Sequence, residues 1–289
     1  MEFGRLLTAM VTAFDDEGAL DLNRQTKLIE HLIHTGTETI VVTGTTGESP
    51  TLTTDEKLRL YEHTLEVAAG RVKVIAGTGT NNTKDSIALT QQAERLGVDG
   101  IMLVTPYYNR PNQEGLYQHF KAIAESTSLP VMVYNVPGRT GCNLEAETVC
   151  RLAEIDNITM IKEASGNLSQ MTDILRNTPE HFVLYSGDDS LTLPVLAIGG
   201  HGVVSVASHV VGIQMREMIE AFFKGNLAEA AKKHQLLEPQ FKALFKAPSP
   251  VPVKTVLNMM GIEVGPVRLP LVPLNEREKE QILNHFEIS

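Results

Sequence analysis

Hydrophobic positions along the chain gather into eight short runs: LLTAMVTAF, TIVVTG, VKVIAGTG, GIMLVTPYY, PVMVYNVP, ITMIKEAS, FVLYSGDD and GVVSVAS. They begin at residues 6, 39, 72, 100, 130, 158, 182 and 202. Each is rich in β-branched and apolar residues, and most intervals between them hold an amphipathic stretch such as residues 24–35 or 83–96. This is strand–helix alternation. The runs are continuously apolar, as in strands that protein covers on both faces of a parallel sheet. Eight repeats predict an α/β fold closed into a (β/α)8 TIM barrel. An open doubly wound sheet is the alternative, but after the third run Gly77 and Gly79 are followed by Asn82 where its dinucleotide fingerprint needs a third glycine.

Beyond about Val210 the strand pattern stops. Met215, Met218, Ile219, Phe222 and Phe223 form a helical stripe, residues 227–245 supply a second long helix, and a proline-rich bend, APSPVPVK, precedes two more. The last begins at Asn275, an N-cap with Glu278 three positions on, and runs to about Phe286. The expected organisation is a catalytic barrel over residues 1–224 and a C-terminal helical appendage over 225–289.

Composition narrows the function classes. Among 289 residues, 25 Lys and Arg stand against 35 Asp and Glu, a net charge of −10 that argues against a nucleic-acid scaffold. With 42% hydrophobic and 21% charged residues the chain is globular in type. No apolar run exceeds four residues, and the first residues lack the basic and apolar regions of a signal peptide. Cys142 and Cys150 are the only cysteines, too few for a disulfide scaffold. A soluble, unprocessed cytoplasmic protein is expected.

A (β/α)8 barrel places its chemistry at the C-terminal ends of the strands. That rule selects Thr12, the Thr45-Thr46-Gly47-Glu48 turn, Tyr107 and Tyr108, Tyr134 and Asn135, Lys162 and Glu163, and Gly187-Asp188-Asp189. Lys162 interrupts an apolar strand, where a buried ammonium is costly. It is either a structural ion-pair lysine or a Schiff-base lysine, whose amine desolvation converts into a nucleophile toward a ketone. Tyr134 is either a core tyrosine or a proton-passing phenol beside that lysine. The GTTGE turn offers backbone N–H groups and two hydroxyls suited to a carboxylate. Nine scattered histidines, of which only His31 and His34 are close, give no metal-ligand pattern, and GxSxG and GK[ST] motifs are absent.

Three motifs, GTTGES at 44–49, YNVPGRT at 134–140 and IKEASG at 161–166, resemble the dihydrodipicolinate synthases of the pyruvate-dependent class I aldolase superfamily. The resemblance extends to PYYNRPNQEG at 106–115, SGDD at 186–189, GGHGVVSV at 199–206 and SPVPVK at 249–254. It implies a lyase in which Lys162 forms a Schiff base with pyruvate and the enamine attacks aspartate semialdehyde, on the route to lysine and diaminopimelate. Tyr134, Thr45 and Tyr108 match the hydroxyl relay, with Tyr108 supplied across a subunit interface. Thr46 matches the pyruvate carboxylate site, and the carbonyls of Gly187 and Val204 line the pocket.

Arg139 matches the residue that holds the second substrate's carboxylate, which N-acetylneuraminate lyases, the nearest alternative, generally lack. A catalytically dead homologue acting as a binding module is the non-enzyme alternative. The resemblance also implies a homotetramer built as a dimer of dimers; no cofactor and no metal are expected. Ser49, Asn81, Asp85 and Tyr107 match part of the site where some relatives bind lysine. Thr54 and Lys57 stand where inhibited enzymes carry histidines, and Pro50 replaces a small residue. Weak or absent inhibition by lysine is expected.

Overall fold

The computed structural model describes residues 3–286. In chain order the elements are β1 (Leu6–Ala9), α1 (Leu22–His34), β2 (Thr39–Val42), α2 (Thr54–Ala68), β3 (Lys73–Gly77), α3 (Thr83–Leu96), β4 (Gly100–Val104) and α4 (Gln113–Ala124). There follow β5 (Val131–Asn135), α5 (Pro137–Thr140), α6 (Ala146–Leu152), β6 (Ile158–Glu163), α7 (Leu168–Asn177), β7 (Val183–Ser186), α8 (Thr192–Ala197) and β8 (Gly202–Ser205). Four helices complete the described chain: α9 (Ser208–Phe223), α10 (Leu227–Ala243), α11 (Val251–Met259) and α12 (Glu276–Leu283). The strands close into a barrel in the order β1 to β8, as the eightfold repeat predicts. Among the described residues no helix is long and apolar enough to cross a membrane.

Two compact units make up the chain, one reaching Lys73 and resuming at Ser205, the other running from Val74 to Val204. In the first, β1 and β2 pair in parallel with Leu7 opposite Thr39. Asp21 caps α1 by accepting hydrogen bonds from the backbone N–H of Asn23 and Arg24, which starts that helix at Leu22, before its apolar stripe begins. Thr53 with Glu56 and Asn275 with Glu278 form complete capping boxes at α2 and α12, so the second is as the sequence predicts.

Several boundaries differ from the sequence pattern: α10 ends at Ala243 and α12 at Leu283, each short of the expected 245 and 286, and two others have a visible cause. The first apolar run leaves the sheet after Ala9: the Met10 N–H still reaches the Val41 carbonyl (3.0 Å), but beyond it Val11 donates to His209 Nε2 (3.1 Å), Ala13 to Gln25 Oε1 (2.7 Å) and Phe14 to the Val264 carbonyl (3.1 Å). The expected bend at 247–254 ends early, since α11 already begins at Val251 with Pro252 in its first turn. The missing proline N–H is unneeded there.

The second unit carries the strand ends of β5, β6 and β7. Parallel pairing sets Tyr134 of β5 opposite Lys162 of β6, and Lys162 opposite Tyr185 of β7. All five residues of β5 are buried. Hydrophobic continuity in the sequence thus reflects cover on both faces.

Candidate active site

Lys162 is buried, 4% exposed, in the last turn of pleat of β6. Its Nζ lies 4.3 Å from the centroid of the Tyr134 ring, a contact the parallel register permits by setting the two residues opposite each other. Burial pushes the ammonium down to about 8, the charge of Asp189 pulls it back up, and Arg139 pushes it further down. At pH 7 about one amine in ten is then neutral, against roughly one in three thousand for an ordinary lysine. Lys162 thus offers a far larger neutral fraction than an exposed lysine, beside the ring of Tyr134.

Gly187 explains how the lysine side chain fits. A Cβ at that position would sit 3.2 Å from Lys162 Cε and Cγ and 2.7 Å from Ala164 Cβ, so only glycine leaves room. Asp188 caps the short turn that follows by accepting from the Ser190 N–H (2.9 Å), Asp189 within that turn is 2% exposed, and Val204 is buried in β8.

Arg139 is exposed on the single turn α5. The loop bearing it is tied to β6 through a buried carboxylate: Glu163 Oε2 accepts from Asn135 Nδ2 and Gln170 Nε2, both at 3.0 Å, while Oε1 accepts from the Ser165 N–H at 2.6 Å. Asn135 Nδ2 also donates to Asn143 Oδ1 (2.8 Å), and its own Oδ1 accepts from the Leu144 N–H (2.9 Å). Both ends of the 136–143 loop are thereby fixed to the strand that carries Lys162.

In the other unit the GTTGES turn folds on itself. The N–H groups of Gly47 and Ser49 donate to the Gly44 carbonyl and that of Glu48 to the Thr45 carbonyl, so these three are consumed inside the turn and are unavailable as the anion cradle the sequence suggests. Thr46 is buried and Thr45 half-buried. Thr12 Oγ1 donates to the Gly47 carbonyl at 2.7 Å, and a Cβ at Gly47 would press on the Met10 carbonyl at 3.1 Å.

Tyr108 is 90% exposed with φ +74°, a conformation costly for a residue with a Cβ. Neighbouring Tyr107 is half-buried, and its carbonyl accepts from Asn81 Nδ2 at 3.1 Å. Asp85 is exposed on α3, whereas Ser49 lies in the other unit.

The model of the Dihydrodipicolinate synthetase family matches residues 2–288. The chain belongs to this family. It is 61% identical over 279 residues to a 4-hydroxy-tetrahydrodipicolinate synthase of Bacillus velezensis, covering 96% of each chain, and 60% identical over 280 residues to the enzyme of that name in Bacillus subtilis, covering 96% and 97%. The crystal structure of a dihydrodipicolinate synthase from Bacillus anthracis superposes with a TM-score of 0.97 at 57% identity, over 99% of this chain and 98% of that one. The Cyanidioschyzon merolae enzyme, solved with lysine bound, has a TM-score of 0.96 at 46% identity, over 98% of this chain and 97% of that one.

Within this dihydrodipicolinate synthetase fold the structure adds residues that sequence reasoning left without roles. Tyr185 flanks Lys162 on the side away from Tyr134, and Asp189 supplies the opposing charge. Strand-end position marked Asp189, Asn135 and Glu163, but nothing in the sequence signals that Gln170 of α7 reaches Glu163 or that Asn143 of the loop before α6 bonds to both Asn135 and Gln170.

Proposed function

We propose that this chain condenses pyruvate with L-aspartate 4-semialdehyde to give 4-hydroxy-tetrahydrodipicolinate, through a Schiff base on Lys162. The observation that carries the reading is a buried lysine, held at about 8, whose Nζ lies against the ring of Tyr134. The neutral amine adds to the ketone of pyruvate, and loss of water leaves an iminium. Loss of a methyl proton gives the enamine, whose carbon forms the new bond to the aldehyde carbon of the second substrate. Attack of that substrate's amine on the iminium carbon closes the ring and releases Lys162 as the free amine.

Family membership supports the remaining roles. Tyr134, Thr45 and Tyr108 pass protons during addition, dehydration and ring closure. Thr46 receives the pyruvate carboxylate, the carbonyls of Gly187 and Val204 line the pocket, and Arg139 holds the carboxylate of the second substrate through its planar fork. The exposed, strained Tyr108 suits a residue presented to a partner subunit. We infer a homotetramer acting in the cytoplasm, with residues 1–224 as the catalytic barrel and 225–289 as its helical appendage. Ser49, Asn81, Asp85 and Tyr107 form the remnant of an effector site.

Product analysis decides the reaction. Pyruvate with aspartate semialdehyde should yield the cyclic product, and pyruvate with N-acetylmannosamine none; the reverse pattern would assign the chain to sialic-acid chemistry.

A further inference from the structure

The SPVPVK stretch plays no part in the chemistry above, yet its last residue is among the most buried charges in the molecule. Lys254 of α11 and Glu48 of the GTTGES turn expose 2% and 1% of their side chains. Lys254 Nζ donates to Glu48 Oε1 at 3.1 Å, to the Thr12 carbonyl at 2.9 Å and to the Pro266 carbonyl. An ammonium has three protons, and all three are used. The second Glu48 oxygen accepts from the Arg268 N–H at 2.8 Å, and the Arg268 guanidinium goes on to the Glu56 carboxylate, the Thr51 carbonyl (2.9 Å) and the Gly18 carbonyl (2.8 Å).

Glu48 itself sits at φ +56°, in the left-handed region that an L side chain occupies only when its surroundings hold it there. It immediately follows Thr45, Thr46 and Gly47. The Gly47 carbonyl is held from below by Thr12 Oγ1, and the Thr12 carbonyl is held in turn by Lys254. Buried ion pairs add little net stability, because desolvation offsets their attraction, and their best-attested use is to fix one arrangement among several.

We propose that the Lys254–Glu48 pair is a positioning device: it holds the Thr45-Thr46-Gly47 turn in the one shape that receives the pyruvate carboxylate, so the C-terminal helices set the affinity for the first substrate. Neither residue touches substrate. The proposal rests on the reading of Thr46 as the carboxylate anchor.

The test uses the full-length enzyme and the variants Lys254→Met, Glu48→Met and the double variant. Pyruvate is titrated, each sample is reduced with borohydride, and the adduct on Lys162 is quantified by mass spectrometry beside a thermal melt. Either single variant strands a buried charge and lowers Tm. The double variant strands none and recovers most of that loss. Its half-saturating pyruvate nonetheless stays raised by about tenfold or more, while KM for the second substrate moves far less. Pyruvate saturation that returns to the wild-type value along with Tm would overturn the proposal, since the pair would then be packing alone. Should a single variant not fold, the double variant decides by itself. A wild-type enzyme that traps no pyruvate would instead sink the Schiff-base reading, a distinct result.

Discussion

Gly187 and Lys162 share one volume: a methyl group at 187 would lie 3.2 Å from two carbons of the lysine side chain. The lysine reaches its strand end by lying across a residue that has no side chain. Gly187→Ala is therefore expected to lower kcat/KM for pyruvate by about 10- to 100-fold, since small displacements of a nucleophile are costly. The accompanying loss of stability should be about 1–3 kcal/mol from overpacking against Ala164. Steady-state kinetics beside a thermal melt check both, and unchanged kinetics would mean that the lysine has a second path.

The pH profile follows from the buried amine. Only the neutral form attacks the ketone, and burial places the transition at about 8 instead of 10.5. As pH rises toward that value the neutral fraction grows, so kcat/KM for pyruvate should climb about tenfold per pH unit and then level off. Rates of imine formation measured from pH 6 to 10 test this. A climb that continues past pH 9 would show a lysine with an ordinary pKa.

Arg139 has two separable effects. Its charge pushes the Lys162 pKa down, and its guanidinium is proposed to bind the second substrate. Arg139→Ala should cost about 1.5–3 kcal/mol in kcat/KM for aspartate semialdehyde and move the inflection of the pyruvate profile upward. Above that inflection, pyruvate kinetics should approach wild type. An equal loss for both substrates at every pH would make Arg139 a loop anchor only.

Legibility in the sequence tracked how local the determinants are. The limits of α3, residues 83–96, and the capping box at Asn275 depend on neighbours within one or two turns, and they stand as the pattern predicts. The end of β1 depends on His209, nearly two hundred residues away, and no local pattern records such a partner. The same holds for the site. A lysine breaking an apolar strand is visible in the chain, whereas the network linking Asn135, Asn143 and Gln170 to Glu163 exists only once β5, β6, α7 and the loop before α6 are packed.

Inhibition by lysine should be weak or absent. Asn81 already donates to the Tyr107 carbonyl, and Lys57 is half-buried, with burial lowering its pKa. Its charge near a cationic effector costs about 1 kcal/mol per close pair in wet surroundings and more when desolvated. Initial rates across rising L-lysine check this, and strong partial inhibition below the millimolar range would show that Ser49, Asn81, Asp85 and Tyr107 suffice.

The most direct test of the account is borohydride reduction in the presence of pyruvate, followed by peptide mass spectrometry. Loss of activity together with one reduced pyruvate adduct, on Lys162, is expected. An adduct on a different lysine, or full activity with no adduct at all, would contradict it.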